Sequence, residues 1–116
     1  LTMKITQDKF LKIVTKHLYS LSSRNNDDPP PVMYEAVKPM LYELVPVMMR
    51  TGVMDQDHVI DVDKLEKSLR EWFSYMPILN IPFGSGKITI NAGMVNKFLE
   101  DVKKESFIEE TLAIEN

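Results

Sequence analysis

Apolar side chains recur every three or four residues in three stretches of this 116-residue chain. Such spacing places them along one face of an α-helix, and it limits the fold more than any other feature of the sequence. The stretches predict helices over residues 6–22, 62–76 and 92–104. The residues predicted to face the core are Phe10, Leu11, Val14, Leu18, Leu21, Val62, Leu65, Leu69, Trp72, Phe73, Met76, Val95, Phe98, Leu99 and Val102.

Short polar side chains mark the starts of these predicted helices. Thr6, Asp61 and Asn91 can each accept a hydrogen bond from a backbone N–H group of the first turn, which has no partner inside the helix. A short strand is predicted at 59–60, just before Asp61. Two β-prone runs within residues 78–91 surround a Gly-Ser-Gly connection, and this pattern predicts a β-hairpin.

The segment 32–51 is strongly apolar but contains Pro39 and Pro46. Proline inside a helix removes one hydrogen bond and clashes with the preceding turn, so we expect either two short helices or one kinked helix. Its apolar residues cover most of the helical wheel, which predicts burial on more than one side. The predicted fold class is therefore α+β, mainly α, with about four helices, the second broken by proline, and one β-hairpin before the last helix.

Length and composition favour one globular domain spanning residues 1–116. Apolar residues make up 44% of the chain and charged residues 27%, which is the balance of a folded protein. Residues 22–31 predict an exposed Pro-rich loop, and residues 105–116 predict a docking tail or a short terminal helix, because positions 106–109 have capping-box spacing. No apolar stretch approaches the roughly 20 residues that a membrane span needs.

Cysteine is absent, which excludes disulfides and thiolate metal sites and suits the cytoplasm or another reducing compartment. Charge is unevenly distributed along the chain. Residues 1–24 carry five basic side chains and one acidic one, although the net charge of the whole chain is −3. Lys9, Lys12 and Lys16 form a basic face on the first helix. This face could meet phosphate, an acidic lipid surface or an acidic partner, or it could simply be solvated.

The densest acidic cluster consists of Asp55, Asp57, Asp61 and Asp63, with His58 among them. Calcium prefers several oxygen ligands on a sharply turning loop, and about a dozen residues here resemble an EF-hand loop. Neither alignment of that loop satisfies its defining positions, since the glycine position falls on an apolar residue or on histidine. We therefore predict an acidic connector that caps the following helix, with these aspartates as weak candidates for a metal site.

Other short motifs do not support catalysis. The Gly-Lys pair at 86–87 lacks the earlier glycine and the following serine or threonine of a phosphate-binding loop, so it predicts a hairpin turn. His17 is predicted to be a partly buried, hydrogen-bonded side chain and not a metal ligand. No serine lies in a nucleophile-elbow pattern, and no cofactor is predicted.

These observations predict a small, soluble, non-catalytic protein-interaction or regulatory module that binds a protein partner or, more specifically, a second copy of itself. Methionine adapts to irregular contact surfaces, and the C-terminal apolar residues have no obvious partner within the domain. The residues predicted to form the interaction surface are Met40, Met48, Met49, Met54, Phe107, Ile108 and Leu112.

Two alternatives remain open from the sequence. Three helices followed by a hairpin is the order of a winged helix-turn-helix, in which residues 62–76 would enter the major groove and residues 84–86 would form the wing. The negative net charge and the acidic residues within 62–76 disfavour nucleic-acid binding. The other alternative is an enzyme or enzyme subunit, for which no nucleophile or base can be named.

Overall fold

The computed structural model describes residues 1–23 and 27–110. These residues form four helices and five strands, and the predicted fold class, α+β and mainly α with a hairpin before the last helix, is confirmed. The elements are β1 (Thr2–Thr6), α1 (Gln7–Ser23), α2 (Pro31–Arg50), β2 (Val59–Asp61), α3 (Val62–Tyr75), β3 (Ile78–Phe83), β4 (Gly86–Asn91), α4 (Ala92–Glu105) and β5 (Phe107–Glu109).

The strands form two antiparallel sheets. β1 lies in the middle of a three-stranded sheet in the order β2-β1-β5, and Ile5 of β1 is opposite Ile60 of β2. β3 and β4 form the predicted hairpin as a separate two-stranded sheet. β1 is not predicted from the sequence, although Met3 and Ile5 alternate with polar residues, because a run of five residues at the start of a helical pattern is a weak strand signal.

The predicted caps are found at the helix starts. Asp61 Oδ1 accepts a hydrogen bond from Lys64 N at 3.1 Å, and Asn91 Oδ1 accepts one from Met94 N at 3.2 Å. Thr6 makes a longer contact of the same kind, at 3.4 Å. Each cap pairs an N–H group that the helix itself leaves unpaired, and it fixes where strand or loop becomes helix.

α2 is one uninterrupted helix from Pro31 to Arg50, so of the two predicted alternatives the pair of short helices is not found, and a kinked helix remains a prediction. Pro39 and Pro46 are seven residues apart and both are exposed, which places them on one solvent-facing side. The carbonyl groups that lose their usual partners belong to Glu35 and Tyr42, and both residues are exposed as well. Water can pair those carbonyls, so the helix continues through both prolines.

Apolar side chains from all four helices and both sheets build the core. The main cluster contains the least exposed residues of the protein, and a smaller cluster of Phe73, Val95 and Leu99 lies between α3 and α4. Leu69 and Ile90 pack against both clusters and connect them. The apolar residues of the main cluster with at most 1% exposure are Ile5, Val37, Ile60, Val62 and Val102.

The molecule is elongated. Its radius of gyration is 15.0 Å and its extents are 53 × 32 × 24 Å, whereas a compact chain of this length has a radius of about 13 Å. α2 packs mainly against α1, while α3 contacts α4, β1 and β2. Long sides of α2 therefore remain in contact with solvent. None of the helices in residues 1–23 and 27–110 is long and apolar enough to cross a lipid bilayer.

Two connecting segments differ from expectation. Residues 107–109 pair with β1 as strand β5 and do not start a terminal helix. Ser106 ends α4 instead, since its Oγ donates to the carbonyl of Lys103 at 2.7 Å. In the predicted exposed loop 22–31, Pro29 is buried. Residues 24–26 and 111–116, with Leu112 among them, lie outside the described residues.

Candidate interaction surfaces

An apolar stripe runs along the exposed side of α2, and we define the α2 stripe as Ala36, Met40, Leu44 and Val47. These residues are four, four and three positions apart, so they lie in one row along the helix. Met40 is half-buried and the other three are exposed. The spacing matches that of anchor residues by which one helix binds to an apolar surface.

On α2, the side chains change from buried to exposed within one turn, between Leu41 and Leu44. Leu41 is 3% exposed and belongs to the core, whereas Leu44, one turn further along, is 52% exposed. The core-facing side of α2 rotates around the helix axis along its length. Beyond Leu41, the residues that pack against the core are Val45, Met48 and Met49. The stripe therefore borders the core-facing side without being covered by it.

The predicted methionine surface is only partly present. Met48 and Met49 are half-buried against the core, and Met54 is 2% exposed. Met54 is buried because its N–H donates to the carbonyl of Met48 at 3.0 Å, which folds the chain back after α2, and it then bridges to Ile60. The assignment of Met54 to an interaction surface is therefore wrong.

A second exposed apolar surface, which we call the aromatic corner, lies where α3 ends and β3 begins. Its members are Trp72, Tyr75, Met76 and Ile78, and Tyr75 is 83% exposed. The sequence analysis missed it, because Trp72 and Met76 continue the helical spacing of core residues on α3. The neighbouring Phe73 is buried, so the cover of α3 ends within the last turn. Tryptophan and tyrosine are typical of residues that dominate binding energy at interfaces.

The predicted C-terminal contact residues lie on β5. Phe107 and Ile108 are 43% and 56% exposed, so neighbouring residues of this strand are uncovered on both faces. The strand is held by pairing with β1 and by an ion pair between Lys4 Nζ and Glu109 Oε1 at 2.9 Å. That carboxylate, through its hydrogen bond, raises the pKa of Lys4.

The basic face is exposed and concave. Lys9, Lys12 and Lys16 lie on the solvent side of α1 and line one cavity of about 320 Å³. A smaller cavity, of about 210 Å³, lies between α3 and α4 beside Phe73 and Arg70. The guanidinium of Arg70 is already bound by Glu66 and Asn96, so this second cavity offers mainly apolar walls.

The acidic cluster has local structural roles. Asp55 Oδ1 accepts hydrogen bonds from the N–H groups of Asp57 and Val59, at 2.8 and 3.0 Å, and so closes a tight turn. Asp61 caps α3, which confirms the predicted capping role for this residue. No group of three or more acidic or histidine side chains that could hold a metal ion occurs among the described residues. Asp55, Asp57, Asp61 and Asp63 are thus not gathered into a calcium site.

His17 is the partly buried, hydrogen-bonded side chain that the sequence predicts. Its Nε2 is 2.7 Å from Asp101 Oδ2, and its ring packs edge-on against Phe98 at a centroid distance of 5.4 Å. Burial alone would raise the pKa of Asp101, but the hydrogen bond from His17 and the nearby ammonium of Lys97 lower it below its ordinary value. The pair joins α1 to α4 and stabilises their packing.

The helix arrangement differs from that of a helix-turn-helix unit. In such a unit the recognition helix packs beside the helix that precedes it. Here α2 packs on α1, and α3 packs on α4 and β1. Of the basic residues of α3, Arg70 is paired with Glu66, which reduces the positive charge available for phosphate contacts.

Known proteins give no guide to the role of these surfaces. No protein-family model, curated protein or solved structure matches this chain. Exposure, spacing and charge of the described residues are therefore the grounds on which a function is proposed.

Proposed function

We propose that this protein is a non-catalytic interaction module that self-associates by packing the α2 stripe against the same stripe of a second copy. The observation that carries the proposal is the row of Ala36, Met40, Leu44 and Val47, uncovered on a 20-residue helix whose neighbouring row is core. Uncovered apolar surface of this kind is costly in water and usually marks a binding surface.

The spacing of the stripe supports a second copy as the partner. The intervals of four, four and three residues are almost the same whether they are counted from the N-terminal or the C-terminal end of the stripe. Consider two antiparallel copies related by a two-fold axis midway between Met40 and Leu44. In this arrangement Met40 of each copy lies against Leu44 of the other. Two-fold pairing uses one surface twice and is the commonest symmetry of protein oligomers.

The surroundings of the stripe are consistent with a helix-to-helix contact. Pro39 and Pro46 lie on the outer side of α2, away from the core, and they leave the stripe itself free of backbone irregularity. No side chain of the stripe is charged, so its burial removes no ion from water. A reducing compartment such as the cytoplasm is proposed from the absence of cysteine.

Sedimentation velocity across a range of protein concentrations tests the proposal. We expect a reversible dimer in the micromolar range, and we expect Leu44→Glu to weaken it at least tenfold, because the variant buries two carboxylates at the two-fold contact. Ile78→Glu is the matched control, since it places the same charge on the aromatic corner, at a residue of similar exposure (57%).

The outcomes separate the candidate surfaces. A dimer lost in Leu44→Glu and kept in Ile78→Glu supports the α2 stripe. A dimer that only Ile78→Glu disrupts assigns self-association to the aromatic corner and contradicts the stripe. A protein that stays monomeric at several hundred micromolar contradicts self-association altogether.

A further inference from the structure

The lysine-lined cavity is built from four parts of the chain. It is lined by Lys9, Lys12 and Lys16 of α1, Tyr34 of α2, Asp28 before α2 and Glu105 at the end of α4. Ile13 and the buried Pro29 supply apolar surface. The cavity is a groove open to solvent, with a volume of about 320 Å³. We propose that it binds a small phosphorylated polyol carrying two or more phosphate groups.

The cavity has three lysines against two carboxylates, so the net charge of its lining residues is positive. None of the three lysine ammonium groups forms a hydrogen bond or an ion pair with a described residue, although two carboxylates line the same cavity. Lys4, Lys38, Lys97 and Lys103 are paired with carboxylates. Other exposed lysines in the described part of the chain are also unpaired, and Lys9, Lys12 and Lys16 differ from them in lining one cavity together. Three unpaired ammonium groups facing one concavity create a local positive potential in a chain whose net charge is −3.

The spacing of the lysines favours a ligand with several anionic groups. Lys9, Lys12 and Lys16 are three and four residues apart, so their Cα atoms extend over about 10 Å along one side of α1. A single phosphate contacts all three ammonium groups only if the three side chains converge, whereas separated phosphates can meet them where they extend from the helix. A compact molecule with separated phosphates can, and each contact would be a charge-assisted hydrogen bond.

The remaining lining residues favour a polyol over a bare polyphosphate. The carboxylates of Asp28 and Glu105 accept hydrogen bonds, and the hydroxyl groups of a sugar or cyclitol ring would supply the donors. Tyr34, Ile13 and Pro29 offer apolar surface to the carbon face of such a ring. Tyr34 lies on a different side of α2 from the α2 stripe, so the two proposals stand independently.

The experiment is a calorimetric titration of the full chain with inositol hexakisphosphate, with inorganic pyrophosphate and sulfate compared at equal ionic strength. We expect saturable binding of inositol hexakisphosphate, weaker binding of pyrophosphate and no saturation with sulfate. Nitrogen-15 chemical shifts are expected to change around Lys12 and Tyr34 and not on α3. Equal responses to all three anions at equal ionic strength would show mere charge screening and overturn the proposal.

Variants with opposite expected effects keep the test independent of folding. Lys12→Gln should weaken binding about three- to tenfold, and Glu105→Gln should strengthen it about twofold. Lys67→Gln on α3 is the matched control, since it removes one exposed lysine outside the cavity. If Lys67→Gln weakens binding as much as Lys12→Gln does, the effect belongs to the overall surface charge and the cavity is excluded.

Two further arms identify the source of the phosphorylated group. Co-sedimentation with phosphatidylcholine vesicles that contain phosphatidylinositol bisphosphate, lost in Lys12→Gln, assigns a lipid headgroup. Binding of free inositol hexakisphosphate without vesicle binding assigns a soluble ligand. A short DNA duplex that binds more tightly than inositol hexakisphosphate, with an affinity that Lys12→Gln leaves unchanged, overturns the proposal in favour of nucleic acid elsewhere on the surface.

Discussion

α2 and α3 are held in the protein in different ways. α3 begins with a side-chain cap, and Glu66 of α3 accepts hydrogen bonds from Arg70 on the same helix and Lys103 on α4. α2 begins after Pro30, which makes no side-chain cap, and its one ion pair among the described residues, between Lys38 and Glu35, lies within the helix itself. α3 is thus fixed by polar and apolar contacts to several elements, whereas α2 depends on one buried row.

The difference explains where uncovered apolar surface occurs. Polar contacts on α3 occupy the side of the helix that is not buried, and its exposed apolar residues are confined to the aromatic corner at its end. α2 has few such contacts, so an apolar row remains uncovered through its middle. A helix that is held along a single row leaves the neighbouring row free for a partner. This is the structural basis of the proposed self-association.

The largest expected effect on stability distinguishes the buried row of α2, which contains Leu41, from the exposed α2 stripe, which contains Leu44. Leu41→Ala should lower the free energy of unfolding by about 2–4 kcal/mol, because it leaves a cavity in the core. Leu44→Ala should lower it by less than about 1 kcal/mol, because Leu44 is half exposed. Urea denaturation of both variants at a concentration where the protein is monomeric provides the comparison. Equal losses would mean that both leucines are covered and that the stripe does not exist.

The cap of α3 gives the next largest effect. Asp61→Ala should lower the free energy of unfolding by about 1 kcal/mol, since the N–H of Lys64 would lose its acceptor. Asp61→Asn is the control, because asparagine caps helices about as well as aspartate does. Thermal or urea unfolding measures both. A loss of the same size in Asp61→Asn would show that the charge matters and the cap does not.

The Glu66 contacts give a smaller and pH-dependent effect. Hydrogen bonds from Lys103 and Arg70 lower the pKa of Glu66 in the folded protein. The resulting stabilisation is fully present above the ordinary glutamate pKa of about 4.3 and is lost as pH falls through the lower folded value. Glu66→Gln should therefore cost about 0.5–1 kcal/mol at pH 7.

Urea denaturation at several pH values tests this expectation. The gap between Glu66→Gln and the parent protein should begin to close as pH falls below about 4.3 and should vanish below the lowered folded pKa of Glu66, where Glu66 is neutral in both states. Glu35→Gln on α2 is the control and should leave stability within measurement error, because Glu35 is exposed and pairs only within its own helix. A gap for Glu66→Gln that persists unchanged at pH 3 would mean that its ion pairs do not stabilise the fold.

The helices and the hairpin could be predicted because they depend on local signals. Helical spacing, the cap residues Asp61 and Asn91, and the Gly-Ser-Gly connection each act within a few residues. β1 and β5 escaped prediction because both are short and both depend on long-range pairing. β1 pairs with residues more than fifty positions away in β2 and about a hundred positions away in β5. No local pattern contains that information.

The candidate surfaces could be predicted only in part, since spacing shows that residues share a face but not whether another element covers that face. Trp72 fits the apolar row of α3 and is nevertheless half exposed, while the adjacent Phe73 is buried. Met54 looks like part of a methionine-rich surface and is buried by the return of the chain after α2. The basic face was predictable from its spacing, but its concavity depends on Pro29 and Glu105.

The smallest expected effect tests the geometry of the proposed α2 pair. Glu43 lies within about 60° of the α2 stripe and close to the level of the two-fold axis, so its carboxylate would approach that of the second copy. Glu43→Gln should strengthen self-association about twofold, because like charges at such distances cost about 0.2–0.5 kcal/mol.

The parent dimer should also tighten as sodium chloride is raised, since salt screens the repulsion, and Glu43→Gln should lose most of this dependence. Sedimentation equilibrium at low and high salt measures both effects. A dimer that weakens with salt would instead be held by opposite charges, and the antiparallel stripe pairing would then be the wrong arrangement.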